Sequence, residues 1–323
     1  LTRKSPEFKY STNEMIDVGS NSIPILHDLN NDGLLDLIIG NKGYYNEANY
    51  DSRLSCYKNI GTVTNPKFSP FSTNFINTDF GGLSEIGNIT SIENIHPTFG
   101  DIDEDGDIDM AFGDSSGKIF ISLALNTETG ATTPYPLYSP EQGVFDTGID
   151  VGSYSTPQLI DLNRDGLLDL VVGERSGIDN GIYNGINYFE NTGLNVGGIP
   201  NFENNTPELI AVDGTIIKSL GGINLMDPVF LTAYTTPHVF EQDGEYHLAV
   251  GAENGKVFLY NNIEDNLFGF YNFFTENMLT NNLGESTINC VRSAIAINDI
   301  NDDGKPDLIR GNASGGLELF LGN

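Results

Sequence analysis

Four short runs of this sequence carry oxygen-bearing side chains at one repeated spacing. They are Asp28-Leu-Asn30-Asn-Asp32-Gly33-Leu34-Leu-Asp36, Asp101-Ile-Asp103-Glu-Asp105-Gly106-Asp107-Ile-Asp109, Asp161-Leu-Asn163-Arg-Asp165-Gly166-Leu167-Leu-Asp169 and Asp299-Ile-Asn301-Asp-Asp303-Gly304-Lys305-Pro-Asp307. Carboxylates or amides stand at positions 1, 3, 5 and 9 of each, with glycine at position 6. A hard cation such as Ca²⁺ takes about six to eight oxygens from carboxylates, amides, backbone carbonyls and water. Alternate residues of a tight loop can point inward together, and glycine permits the sharp turn. The expectation is four Ca²⁺ sites. Asp28, Asn30, Asp32 and Asp36 supply the first set of side-chain ligands, and Asp101, Asp103, Asp105 and Asp109 the second. Asp161, Asn163, Asp165 and Asp169 supply the third, and Asp299, Asn301, Asp303 and Asp307 the fourth. The position-7 carbonyls of Leu34, Asp107, Leu167 and Lys305 stand beside them. An EF-hand needs a glutamate at loop position 12 and flanking helices. Ile39, Phe112, Val172 and Arg310 occupy that place, so these are not EF-hands.

The elements that must position such loops are strands. Each run leads into a short segment rich in Ile, Val and Leu, as a buried strand requires. A glycine closes that segment at Gly40, Gly113, Gly173 and Gly311, and a weaker fifth copy, Pro237 to Gly251, closes at Gly251. These glycines recur every 60 to 78 residues. A proline often stands four residues before the first acid (Pro24, Pro97, Pro157), with Pro237 in the weaker copy. A third strand ends near Asn59, Asn191 and Asn261, and Pro66-Lys-Phe68 and Pro200-Asn-Phe202 open a fourth. Four short antiparallel strands per unit at this period predict an all-β fold, a β-propeller of five four-stranded blades. The blades fall at about 20–75, 93–148, 153–207, 233–275 and 291–323 plus 1–12, as a single domain. The last unit stops after its third strand, and Pro6-Glu-Phe8-Lys-Tyr10 has the pattern of a fourth. That amino-terminal segment is expected to close the ring, which removes sheet edges at the junction. The fourth copy is shorter and reads Gln-Asp243-Gly244-Glu, a tight hairpin turn and no metal loop. His247 has no cluster around it for a zinc site.

The bulk numbers narrow the partners. With 15 basic against 45 acidic residues the formal charge is −30, and four divalent cations would bring it only to −22. Such a field repels nucleic acid and anionic membrane surfaces. Thirty-seven glycines and 14 prolines suit a turn-dense β chain. Nothing approaches the apolar run of about 18 residues that a membrane helix needs. Two cysteines, Cys56 and Cys290, are too few for a disulfide framework. They are expected to be adjacent after closure, either bridged or, as the stronger expectation, two buried thiols. Weak Ca²⁺ loops work where calcium is abundant, which points to a secreted or cell-surface protein. A start at Leu1 fits a processed chain or part of a larger secreted polypeptide. Asn88, Asn204 and Asn312 begin glycosylation-type triplets, which matter only in a eukaryote.

The D-x-[DN]-x-D-G-x-x-D-[LM]-x-x-G pattern, repeated and closed by a glycine turn, resembles the FG-GAP/VCBS repeats of integrin α-subunit propellers and many secreted bacterial proteins. The resemblance covers nearly the whole chain and implies calcium in the hairpin loops on one rim. It departs in blade number, since integrin-type propellers have seven. It also implies that a ligand binds on the opposite face or at the channel mouth. There two loops are expanded, 41–53 and 174–184, and offer Tyr44, Tyr45, Tyr50, Arg53, Arg175 and Tyr183. The leading expectation is a calcium-stabilised binding or adhesion module for a glycan or a surface protein. The alternatives are a polysaccharide lyase or hydrolase and a purely structural domain. For the enzyme, Asn41, Asp114, Glu174, Glu253 and Asn312, which follow the second-strand glycines, would ring the channel mouth.

Overall fold

A strand packed on both faces reads as a continuous apolar run, because neither side meets water. Asp36–Gly40, Asp109–Gly113, Asp169–Gly173 and Asp307–Gly311 are buried along their whole length. Each is the second strand of a four-stranded antiparallel sheet in the computed structural model, which describes residues 2–3, 18–46, 49–52, 54–70, 93–124, 144–176, 185–275 and 290–322. The sheets are five blades. Blade 1 holds Ile23–His27, Asp36–Gly40, Ser55–Asn59 and Phe68–Pro70, and blade 2 holds His96–Gly100, Asp109–Gly113, Lys118–Ser122 and Phe145–Asp150. Blade 3 holds Thr156–Ile160, Asp169–Gly173, Ile186–Leu194 and Pro200–Asn204. Blade 4 holds Thr236–Gln242, Glu245–Gly251, Val257–Asn261 and Asn272–Thr275. Blade 5 holds Ala294–Asn298, Asp307–Gly311 and Leu317–Leu321, completed by Thr2–Arg3 from the start of the chain. The fold is the expected five-bladed β-propeller. Among the described residues the helical elements are 3-10 turns at Leu220–Gly222 and Glu264–Asn266, and no helix is long and apolar enough to cross a membrane.

The core lies in the seams between blades. Alternate side chains of a strand point to opposite faces, so each second strand serves two seams. Ile38 joins Phe99, Met110 and Phe112 of blade 2, while Leu37 and Ile39 join Ile300 and Ile309 of blade 5. Equivalent clusters fill the seams between blades 2 and 3, 3 and 4, and 4 and 5. The strand-closing glycines have a seam role as well. A Cβ on Gly40, Gly113, Gly173, Gly251 or Gly311 would stand 2.2, 2.2, 2.1, 2.0 or 2.0 Å from a carbonyl oxygen of the next blade's lead-in. Those oxygens belong to Ile95, Ser155, Thr235, Ser293 and, across the closing seam, Ser22. Closure is therefore one more copy of the same contact.

First strands are stitched to one another around the axis. Thr98 Oγ1 accepts from Leu159 N–H, the Gln158 amide exchanges bonds with both backbone groups of Val239, and the His238 ring meets the backbone of Ile297. The closing strand pairs Thr2 with Leu321 and Arg3 with Phe320, and Pro6–Tyr10, expected to supply it, lies outside the described residues. The cysteines are two thiols, as the stronger expectation had it, but they are not adjacent and only one is fully buried. Cys56 is buried in the seam of blades 1 and 2, Cys290 lies half-buried against Gly255 of blade 4, and both are free thiols.

Candidate metal loops and the opposite mouth

Each acidic loop joins a first strand to a second, so all four open on one rim, and they share one backbone geometry. Position 4 is left-handed in all of them (Asn31, Glu104, Arg164, Asp302), as is the glycine at position 6. The carboxylate at position 1 sets the turn by accepting two amides. Asp28 takes Asp32 N–H at 3.1 Å and Gly33 N–H at 2.7 Å, and Asp101, Asp161 and Asp299 repeat the pair. Position 5 accepts the position-7 amide in every copy. The apolar residue at position 2 (Leu29, Ile102, Leu162, Ile300) anchors the loop in a seam.

The position-9 aspartates are buried braces. One oxygen of Asp36, Asp109, Asp169 and Asp307 accepts the amide of Asn59, Ala124, Asn191 and Gly322, which ties the loop to the end of the third strand. The other oxygen accepts the position-2 amide in three copies, and Tyr188 Oη adds a bond to Asp169. In the first loop Asp36 Oδ2 is buried without a hydrogen-bond partner, and so is Asn301 Oδ1 in the last. Oxygens of Asp101, Asp103 and Asp109 lie within 4.8 Å of one another. Burial, with neighbouring loop carboxylates adding to it, pushes the Asp36 carboxyl up to about 6 and Asp109 up to about 7. Asp169 and Asp307 are raised by burial too. Crowded carboxylates that resist ionisation, with two buried loop oxygens unmet, fit a divalent cation, which favours the charged form of the carboxylates. The blade 4 copy has a two-residue turn, with Asp243 and Gly244 both at positive φ between Gln242 and Glu245, and His247 stacks on Phe240.

The opposite rim carries a ring that the sequence reading missed. Two residues before each first strand the backbone is left-handed, at Asn21, Asn94, Tyr154, Tyr234 and Arg292. Left-handed φ is uncommon for residues other than glycine, so five at equivalent places mark an imposed geometry. In four blades this residue stands three before the proline already noticed, at Pro24, Pro97, Pro157 and Pro237, a signal that could have found it. The ring converges. The Asn21 amide donates to Asn94 and to Tyr234 Oη, Tyr154 and Tyr234 lie 5.8 Å apart, and the Arg292 guanidinium lies over both tyrosines. Beside it, Arg175 of blade 3 and Arg292 of blade 5 each donate Nε to Glu253 of blade 4, at 3.1 and 2.8 Å. Thr232 Oγ1 donates to the same carboxylate at 2.8 Å. Burial alone would raise Glu253, but Arg292, Thr232 and Arg175 hold it below the ordinary glutamate value.

The remaining sequence-derived residues fare unequally. Of the six expected at the ligand face, Arg175 reaches this mouth. Tyr44, Tyr45 and Tyr50 belong to a hairpin of Tyr44–Asn46 with Asn49–Asp51, and Arg53 and Tyr183 lie outside the described residues. The five polar residues after the second strands do not form the open ring that was pictured. Asp114 caps its own turn through Ser116 and Lys118, Asn312 accepts from Ser314, and Asn41 donates to Val18. Glu174 is buried and accepts from Gly185 N–H.

The family model for the FG-GAP-like repeat matches residues 28–112 and 101–172. No curated protein matches the chain in sequence. Among solved structures, a GH43 glycoside hydrolase engineered to display both endo-xylanase and exo-arabinofuranosidase activity is similar at a TM-score of 0.47 and 11% identity, over 94% of this chain. The chain spans 50% of that structure's length.

Proposed function

Since the FG-GAP-like repeat model matches residues 28–172, we propose that the chain is a calcium-stabilised propeller acting outside the cell as a binding module, with its ligand face on the rim opposite the acidic loops. The observation that carries this reading is the division of labour between the rims. Four loops of one geometry crowd carboxylates on one side, while the five lead-ins converge on an arginine-tyrosine mouth on the other. Calcium would be held by positions 1, 3, 5 and 9 of each loop with the position-7 carbonyl, and its chemistry there is charge neutralisation and loop closure. At millimolar calcium each site adds about 1 kcal/mol if it binds in the range of extracellular modules. The polysaccharide-hydrolase reading is weakened by the state of its carboxylates, since Glu253 is ion-paired by two arginines and Asp114 and Glu174 are engaged in their own loops. The test is a calcium titration by calorimetry, followed by peptide and glycan arrays with and without chelator. The reading expects heat from binding at the loops and at least one array ligand. A calorimetric blank with no chelator effect on melting would remove calcium from it.

A further inference from the structure

Resting on the binding-module reading, we infer that the mouth opposite the acidic loops seats one carboxylate of a partner protein segment between Arg175 and Arg292, with an apolar side chain of that segment against Val229–Leu231. Both arginines spend Nε on the same Glu253 carboxylate, which fixes their guanidinium planes. Among the described residues no acceptor meets the terminal amino groups of either one. Two guanidinium groups against one carboxylate leave a local excess of positive charge on a chain of formal charge −30. Stapling blade 4 to blades 3 and 5 uses only the Nε of each arginine, so the terminal amino groups of both remain to form a seat for a second carboxylate. A second unmet donor lies in the same cluster, the fully buried Asn94 Nδ2.

The class of ligand follows from what borders the seat. Sugar recognition wants an open aromatic face, but the Tyr154 ring already carries both guanidinium groups and Tyr234 is fully buried. A polyanionic chain would meet the repulsion of the whole acidic surface. The loop that ends at Thr232 is instead apolar and solvent-facing, with Val229 81% and Leu231 67% exposed. It is held in shape, because Asp227 accepts from Val229 and Phe230 N–H and its carbonyl from Leu231 N–H, and Thr232 bonds Glu253. One negative charge beside one aliphatic or aromatic side chain is the chemistry of a peptide with Asp or Glu next to Leu or Phe.

The experiment uses the calcium-loaded chain on an array of short synthetic peptides with Asp or Glu beside Leu or Phe. Each is matched by its Asn or Gln counterpart, and oligouronates are run in parallel. Hits are quantified by calorimetry for the wild type, for Arg175→Gln and for the exposed pair Val229→Ser/Phe230→Ser. The expected result is acid peptides binding about tenfold or more tighter than their amide counterparts, a preference lost in Arg175→Gln. The serine pair should weaken binding, and calcium-dependent melting should be unchanged in both variants. Equal binding of acid and amide peptides, or binding that ignores Arg175→Gln, overturns the seat while the module reading stands. Oligouronate binding that depends on Arg175 overturns the ligand class. A chain that binds no peptide or glycan at millimolar concentration overturns the seat and the module reading together.

Discussion

One buried oxygen separates the acidic loops from ordinary turns. Asp36 Oδ2 has no partner within the protein, although its sister oxygen holds Asn59 N–H. A buried carboxylate left half-satisfied costs stability unless a cation meets it. Asp36→Asn therefore removes a charge that burial disfavours and also removes a ligand. In chelator it should melt within a few degrees of the wild type, while the calcium-induced rise in melting temperature should shrink by about a quarter, one site of four. An undiminished rise in a differential scanning experiment would take the first loop out of the metal set. Glu174 offers a second test, away from the acidic loops. Burial raises its carboxyl to about 8, so between the ordinary glutamate value and that point the folded chain keeps a proton that the unfolded chain releases. Its contribution to stability is thus full at low pH and lost as pH rises from about 4.5 to about 8, a decline of order a few kcal/mol. Glu174→Gln should flatten that decline, gaining stability against the wild type at pH 8 and nothing at pH 4.5, as read from urea midpoints across pH.

At the level of strands and turns, much was readable because each element repeats its reason. The acidic spacing, the apolar run and the closing glycine located every first and second strand, and the Asp243-Gly244 pair foretold the two-residue turn of blade 4. The axial ring was not readable in the same way. Its members are Asn, Asn, Tyr, Tyr and Arg, which share a backbone conformation and a place but no chemistry. The ion pairs of Glu253 were also hidden, because they join three blades far apart in sequence. The seam glycines combine a visible residue with an invisible cause, and they can be tested against loop glycines. A Cβ on Gly113 would meet the Ser155 carbonyl oxygen at 2.2 Å and Pro157 Cδ at 2.8 Å, so two blades must part. A Cβ on Gly106 meets nothing within 4 Å, and only its φ of 94° resists alanine. Gly106→Ala should cost about 1 kcal/mol and Gly113→Ala about 2 to 4 kcal/mol. Chemical denaturation in chelator that ranks them the other way would refute the seam assignment of these glycines.

For the whole molecule, the question is what holds the ring shut. Among the described residues, two devices act at the junction of the last and first blades. One is the two-residue strand Thr2–Arg3 on Leu321 and Phe320. The other is the seam itself, where Leu37, Ile39 and Val18 meet Ile300 and Ile309, Gly311 touches the Ser22 carbonyl, and Ser22 Oγ donates to Gly316 O. Two ladder pairs on an outer edge bury little, while removing a fully buried aliphatic side chain costs about 2 to 5 kcal/mol. The seam should therefore dominate. Removing residues 1–17, which leaves Val18 in place, is expected to lower the melting temperature by a few degrees and to keep a single cooperative transition. Ile309→Ala with Leu37→Ala should lower it far more, and blades 1 and 5 should gain amide exchange before the other seams do, since a ring opened at one seam exposes those two faces first. Hydrogen exchange resolved by peptide separates the cases. If the truncated chain opens at blades 1 and 5 while the double alanine chain loses protection evenly, the amino-terminal strand is the latch and the seam is only one of five equal contacts.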